Sequence, residues 1–154
     1  MKRKWKFFLL ILVVVIFLSQ FVPVKRDNPP VIAEINLSSE VMPILKRACY
    51  DCHSNKSVWP WYSYIAPISW VIAYDVKEGR EELNFSNWMT LDQRKQTKMV
   101  KEVWKEVKEG EMPPWLYRLA HVEARLTPGD ISTLQEWVKS YAISPDQEKD
   151  KPNH

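Results

Sequence analysis

Two cysteines and a histidine stand close together in this sequence, at Cys49, Cys52 and His53. Thiols three positions apart, followed directly by an imidazole, are typical of the attachment sequence of a c-type haem. The spacing has a chemical reason, because the two sulfurs can form thioethers with the vinyl groups on one porphyrin edge while the imidazole binds the iron. The sequence therefore predicts one covalent haem c, with Cys49 and Cys52 as tethers and His53 as proximal ligand.

Three other kinds of site also use cysteines at such spacing. A thioredoxin-like redox site lies at a strand-to-helix junction of a βαβ unit, which the helical pattern of this chain does not offer. A structural zinc site needs four ligands, and the remaining histidines are His121 and His154. A disulfide across three residues strains ordinary geometry. Haem attachment is favoured over these alternatives, which stay open at this stage.

The iron of a haem electron carrier usually has a second axial ligand, and methionine is a common one. Met112 is the favoured distal ligand because it follows Gly110, where a predicted helix ends, and precedes Pro113 and Pro114, which hold the segment extended. His121 or an open site are the alternatives. The other methionines considered lie within a helix, too close to the attachment site or beside a helix cap: Met99, Met42 and Met89.

Charge and glycine content exclude two classes of function. The formal net charge is +3, but four of the 22 basic residues fall in the first six positions, so the chain from Lys25 onward carries 18 basic against 19 acidic residues. This distribution leaves no basic patch for nucleic acid. With only 3 glycines in 154 residues, a glycine-rich phosphate loop or a dinucleotide-binding sheet is also excluded.

The basic N-terminal residues precede an uncharged, mostly apolar stretch over residues 7–24. As a helix it would be about 27 Å long, just enough to cross a hydrocarbon core of about 30 Å. Because no Ala-x-Ala-like site follows the apolar run, we expect an uncleaved signal anchor or transmembrane helix over residues 1–24. The positive-inside rule then predicts a single-pass protein of the bacterial inner membrane with its haem domain on the periplasmic side, which is where haem c is attached.

The rest of the chain divides into a linker, one domain and a tail. Residues 25–36 are rich in proline and polar residues and predict an extended linker, residues 37–143 the haem-binding domain, and residues 144–154 a disordered tail. No alternating run long enough for a sheet is present, so the predicted fold class is all-α. Helical periodicity and cap signals mark four stretches: residues 39–48, 67–79, 90–110 and 127–141.

Motifs beyond the attachment sequence resemble those of a known family. They are Trp59-Pro60-Trp61-Tyr62-Ser63, Ala66-Pro67-Ile68-Ser69-Trp70, Gly79-Arg80, Leu83-Asn84-Phe85-Ser86, Trp88, Gly110-Glu111-Met112-Pro113-Pro114, Tyr117, His121, Leu126-Thr127, Leu134 and Trp137. With them the chain resembles the bacterial haem-binding domain family, related to cytochrome c, over about residues 37–141.

The resemblance implies a cytochrome-c-like helical fold around a covalent haem, with His53 proximal and Met112 distal. It also implies that the helix before Cys49 crosses the last helix, with Trp137 in the contact. It supplies no reaction, because the family is named for its cofactor.

Tryptophans are the expected wall of the haem pocket, whereas arginines are expected mainly at the surface. Trp59 and Trp61 are predicted to pack against the ring first, and to donate to the haem propionates through the indole N–H only as a secondary role. Arg80 is a further candidate for pairing with a propionate.

The predicted function is membrane-tethered electron transfer by His/Met-ligated iron, with a redox partner protein that the sequence does not identify. The alternative is a haem-based sensor or a peroxidase-like enzyme in which Met112 is displaced and His121 acts at the distal face. Because no substrate-activating acid–base set is evident, an electron carrier is favoured over an enzyme.

Overall fold

The structure, a computed structural model, describes residues 2–142 of the chain and the side chains of residues 4–141. This part folds into helices joined by loops, without any strand, so the all-α prediction is confirmed. Residue 143 and the predicted tail at residues 144–154 lie outside the described residues. The α-helices are α1 (Lys2–Ser19), α2 (Val41–Ala48), α3 (Tyr50–His53), α4 (Ile68–Glu82), α5 (Gln93–Glu109), α6 (Trp115–Ala120) and α7 (Pro128–Ala142), and 3-10 helices cover Trp61–Tyr64, Phe85–Thr90 and Val122–Ala124.

The N-terminal helix corrects two predictions. Within residues 2–142, no helix is long and apolar enough to cross a membrane. α1 begins in the basic segment and ends at Ser19, short of the predicted end of the span. Its uncharged part, from Phe7 to Ser19, rises only about 20 Å, against about 30 Å for a hydrocarbon core. The predicted N-terminal transmembrane helix is therefore wrong, and so is the predicted single-pass location in the inner membrane with a periplasmic domain.

Residues 25–36, which we call the N-terminal strap, contain no helix and lie against the domain. The backbone N–H of Ala33 donates to the Ser86 carbonyl at 3.0 Å and that of Ile35 to the Phe85 carbonyl at 2.9 Å. The Ile35 side chain is buried in the core. The backbone contacts therefore fix the strap beside the 3-10 helix Phe85–Thr90.

α2 and α7 form the base of the core. The buried face of α2 consists of Val41, Ile44, Leu45 and Ala48, at helical spacing. It shares one core cluster with Leu134 and Trp137 of α7, so the packing implied by the family resemblance is present. Pro43 lies in the first turn of α2, where the absent N–H costs no helical hydrogen bond.

The limits of α5 show how capping decides a helix start. The sequence predicted a start at Thr90, but the helix begins at Gln93, because the carboxylate of Asp92 accepts from the Lys95 N–H at 2.8 Å. The predicted end is confirmed: Gly110 has φ of 77°, a left-handed conformation that favours glycine. The turn after Gly110 leads directly to Met112.

α4 extends further than the sequence predicted and positions the candidate site. The pattern ended this helix at Gly79, yet Gly79 lies inside the helix, which continues to Glu82 and packs against α3. A glycine inside a helix costs about 1 kcal/mol relative to alanine, so its place in α4 calls for a packing reason. That reason lies in the contact with α3.

Trp88 fills the centre of the core, where its side chain is fully buried and its indole N–H donates to the Tyr141 hydroxyl at 3.2 Å. We expect Trp88→Ala to lower the free energy of unfolding by about 3–5 kcal/mol, because it removes a large buried ring and leaves a cavity. Urea denaturation of the full chain, followed by far-UV circular dichroism, measures this change.

The matched control is Trp115→Ala, because the Trp115 side chain is 66% exposed on α6. We expect it to change the free energy of unfolding by about 0.5 kcal/mol or less. Equal losses from the two variants would contradict the assignment of Trp88 to the centre of the core.

Candidate functional site

The two cysteines stand on one helical turn. Cys49 is the C-cap residue of α2, and its carbonyl accepts the backbone N–H groups of Cys52 at 3.2 Å and of His53 at 2.9 Å. The turn formed by residues 49–53, here called the attachment turn, therefore gives the thiols and the imidazole fixed relative positions. Both cysteines are free, so the disulfide alternative is absent from the structure.

Burial controls the chemistry of the thiols. It raises the pKa of Cys49 to about 12, and burial together with the nearby Asp51 and Asp75 carboxylates raises that of Cys52 to about 12. Both sulfurs therefore stay protonated at neutral pH. Because a thioredoxin-like redox site uses a thiolate, these pKa values disfavour that alternative.

The residues around the attachment turn disfavour both a zinc site and a thioredoxin-like redox site. Within the described residues no group of three or more histidine, cysteine or acidic side chains could hold a metal ion. His154, one of the histidines considered for zinc, lies outside those residues. The described chain also has no strand from which a βαβ unit could be built.

His53 is held by the backbone of α4. Its Nδ1 lies 2.8 Å from the Gly79 carbonyl oxygen and 3.2 Å from the Leu83 carbonyl oxygen. Because carbonyl oxygens only accept, Nδ1 carries the proton and Nε2 keeps its lone pair. Burial lowers the pKa of His53 and so favours this neutral form. Metal-binding histidines are typically oriented in this way, by donation from the second ring nitrogen.

Gly79 permits this contact because α4 approaches the attachment turn closely. A Cβ atom at position 79 would lie 2.8 Å from the Cys52 carbonyl oxygen and 3.2 Å from the Cys52 Cβ. Backbone cannot yield as a flexible side chain would, so any larger residue would push the two helices apart. Glycine at this position therefore brings its own carbonyl within reach of His53.

Arg80 fastens the strap to the loop after the attachment turn. Its Nε donates to the Ser54 carbonyl at 2.8 Å and Nη1 to the Asp27 carbonyl at 2.9 Å, while Nη2 donates to Asn28 Oδ1 and Ser57 Oγ, each at 2.8 Å. The guanidinium thus holds three parts of the chain together. The contact with a haem propionate that the sequence suggested stays a prediction.

The two tryptophans assigned to the pocket wall differ in their surroundings. Trp61 is 75% exposed on the 3-10 helix Trp61–Tyr64. The indole nitrogen of Trp59 is buried and has no hydrogen-bond partner. A buried N–H without an acceptor costs about 1–3 kcal/mol, so the Trp59 indole can take an acceptor from a bound group.

Met112 follows the C-terminal end of α5 and lines a cleft of about 610 Å³. Its side chain is 36% exposed and its backbone N–H donates to the Glu106 carbonyl at 3.2 Å. The cleft lies within the size range of pockets that hold small molecules and cofactors. Its lining includes Val107, Trp115, Leu119, Leu126 and Ile131, with Lys108, Arg118 and Arg125 as the charged groups.

Both ring nitrogens of His121 are engaged. Its Nε2 lies 2.5 Å from the Tyr62 hydroxyl and its Nδ1 lies 3.1 Å from a Glu123 carboxylate oxygen. The same ring stacks on Tyr117, with ring centroids 4.4 Å apart. In this arrangement neither nitrogen is available to iron.

One contact joins the Met112 side of the molecule to the attachment turn. The Tyr117 hydroxyl donates to Asp51 Oδ2 at 2.8 Å, and Asp51 stands between the two cysteines. Within the described part of the chain, Met112 makes no hydrogen bond to Cys49, Cys52 or His53, and its backbone N–H bonds to Glu106. The structure thus brings together the cysteines, the histidine and Gly79, and it links the segment that carries Met112 to them through the Tyr117–Asp51 hydrogen bond.

The sequence assigned no role at the site to Gly79, Asp51, Tyr62 or Tyr117. A helical glycine in a chain with 3 glycines is a signal that could have identified the first. The others had no local signal, because Tyr117 lies 66 positions from Asp51 and His121 59 positions from Tyr62.

These residues fit a c-type haem. The two thiols are free, protonated and on one turn, the neighbouring imidazole presents Nε2, and the Trp59 indole lacks an acceptor. Cys49, Cys52 and His53 would hold the group, and the Trp59 indole N–H would donate to it.

Comparison with known proteins gives one match. The family model described as a haem-binding domain matches residues 14–140, which is most of the chain. No curated protein and no solved structure matches the chain.

The close approach at Gly79 can be tested by substitution. We expect Gly79→Ala to lower the free energy of unfolding by about 1–3 kcal/mol, because the new methyl group overlaps the Cys52 backbone and separates α4 from α3. Urea denaturation of the full chain measures the change.

Gly129→Ala is the control, since a Cβ there meets only the Thr127 hydroxyl at 3.7 Å. It should leave the free energy of unfolding unchanged or raise it by up to about 1 kcal/mol. A Gly79→Ala protein as stable as Gly129→Ala would show that the two helices do not need this contact.

Proposed function

The chain belongs to the haem-binding domain family, and we propose that it is an electron-transfer protein carrying one covalent haem c. The observation that carries the proposal is the attachment turn itself. The turn carries two free, protonated thiols, those of Cys49 and Cys52. His53 follows Cys52, and its neutral imidazole is held by the α4 backbone with Nε2 unprotonated.

Cys49 and Cys52 would attach the haem as thioethers. Each thioether forms when an S–H adds across a vinyl C=C, with the hydrogen going to carbon, so no oxidant or reductant is consumed. When bound, the haem iron supplies one-electron redox chemistry. The protein contributes a proximal imidazole whose orientation is fixed by the Gly79 and Leu83 carbonyls, which limits the rearrangement that accompanies a change in iron charge.

Met112 is the proposed distal ligand. It lies in the turn between Gly110 and the two prolines, partly exposed and beside an apolar cleft. Its backbone N–H is tied to α5, so the side chain projects from a held segment. A thioether sulfur opposite a histidine raises the reduction potential of haem iron, which suits an electron carrier.

Trp59 is the proposed hydrogen-bond donor to a haem propionate. Its buried N–H has no acceptor in the protein, and a propionate oxygen would satisfy it. All three Arg80 guanidinium nitrogens already donate to the strap and the loop after the attachment turn, so we assign Arg80 mainly to holding that loop.

The alternative function, a sensor or peroxidase-like enzyme with His121 at the distal face, has less support. His121 would have to give up its contacts with Tyr62 or Glu123 to reach the iron. We therefore propose His121 as a hydrogen-bonding residue that joins the 3-10 helix Trp61–Tyr64 to α6.

Met112→Ala tests the proposed function in the haem-loaded chain. The native ferrous protein should give a low-spin spectrum and fail to bind carbon monoxide readily. The variant should keep its haem but become five-coordinate and bind carbon monoxide, because the sixth position is vacated. Absorbance spectra with and without carbon monoxide measure both properties, and a potentiometric titration should show a lower midpoint potential in the variant.

Met89→Ala is the matched control, since Met89 is also an exposed methionine, on the 3-10 helix Phe85–Thr90. It should behave as the native chain does. Readily bound carbon monoxide in the native protein would argue against electron transfer with both ligands in place.

A further inference from the structure

A hydrogen bond joins the segment after Met112 to the attachment turn, between Tyr117 and Asp51. We propose that Tyr117 is a positioning residue, whose bond to Asp51 holds the Met112 segment closed over the haem and keeps the sixth iron position shut to external ligands. This inference rests on the proposed function and adds the device that maintains the distal ligation.

The acceptor of this bond is fixed. Asp51 Oδ1 accepts the Val58 backbone N–H at 2.9 Å, while Oδ2 accepts from Tyr117. The backbone carbonyl of Asp51 also accepts from the Ser57 hydroxyl at 2.5 Å. With each carboxylate oxygen assigned to a different donor, Asp51 cannot turn away from Tyr117 without losing a second contact.

The donor is fixed as well. The Tyr117 ring stacks on His121, with an angle of 19° between the planes, and His121 is linked in turn to Tyr62 and Glu123. Burial and the neighbouring Asp51 carboxylate raise the pKa of the Tyr117 phenol, so it keeps its proton and donates at physiological pH. A hydrogen bond to a charged acceptor is worth about 1.5–3 kcal/mol.

The packing of α6 explains why the Tyr117–Asp51 hydrogen bond has a large effect on the position of this helix. None of its residues, from Trp115 to Ala120, is buried, so α6 is not held by a core face of its own. Pro114 caps α6, and Pro113 separates Pro114 from Met112, which makes a stiff connection. The Met112 backbone N–H stays bound to the Glu106 carbonyl, so movement of Tyr117 away from Asp51 would act through the two prolines to turn the Met112 side chain.

A merely structural role for Tyr117 predicts a different result. Such a role would lower the free energy of unfolding without changing how easily the distal ligand is displaced. The proposal predicts that the equilibrium between Met112 and an added ligand shifts, whatever happens to overall stability. A ligand-displacement titration therefore separates the two.

The experiment titrates the ferric haem-loaded chain with imidazole, followed by the absorption band of methionine-ligated ferric haem. We expect Tyr117→Phe to bind imidazole about tenfold to a hundredfold more tightly than the native chain, because the closed state loses a charge-assisted bond. The control, Tyr74→Phe, removes a tyrosine–carboxylate bond of the same type, from Tyr74 to Glu78 at 2.5 Å on the exposed side of α4. It should leave imidazole binding unchanged.

Asp51→Asn provides a second route should Tyr117→Phe fold poorly. It weakens the same bond from the other end, so it should also tighten imidazole binding. The double variant should show no more than the larger single effect, because both changes remove one interaction.

The outcomes are distinguishable. If the native chain shows the methionine band but Tyr117→Phe binds imidazole within twofold of Tyr74→Phe, the role of Tyr117 is refuted and the ligation stands. The role of Tyr117 is also refuted if the effects of Tyr117→Phe and Asp51→Asn on imidazole binding add up in the double variant. If the native chain lacks the methionine band, the proposed ligation is wrong and the role of Tyr117 falls with it.

Discussion

The hydrogen bond from His53 Nδ1 to the Gly79 carbonyl is the interaction on which the rest of the site depends. It requires α4 to lie against the attachment turn at a distance that only glycine permits, since a Cβ at Gly79 would stand 2.8 Å from the Cys52 carbonyl oxygen. The bond fixes the tautomer and the direction of the imidazole. Such a hydrogen bond orients a histidine for metal binding even when no metal is bound.

The remaining contacts extend from this point in two directions. Arg80 follows Gly79 and binds the strap and the loop after the attachment turn, so one turn of α4 orders both His53 and the strap. In the other direction, the Asp51 carboxylate accepts a hydrogen bond from the Tyr117 hydroxyl. This bond links the attachment turn to the segment that carries Met112. The two candidate axial ligands thus depend on contacts to one five-residue turn.

What the sequence predicted well was local. The left-handed Gly110 and the Thr127 start of α7 act within one turn, so their patterns are visible in the chain. Cys49, Cys52 and His53 form a motif within five residues, and their role toward haem stays a prediction. Contacts between residues far apart in the sequence could not be predicted, because no local pattern marks them. Examples are the contacts of His53 with Gly79 and of Tyr117 with Asp51.

The prediction of a transmembrane helix failed for a related reason. Hydropathy measures the apolar run but not where the helix stops, and α1 stops at Ser19. The proposal of covalent haem attachment rests on the attachment turn and on membership of the haem-binding domain family. Covalent attachment through Cys49 and Cys52 is tested most directly by the intact mass of the haem-loaded chain under denaturing conditions. We predict one species, the chain of 18.3 kDa plus one haem, whereas the unmodified chain with released haem would contradict it.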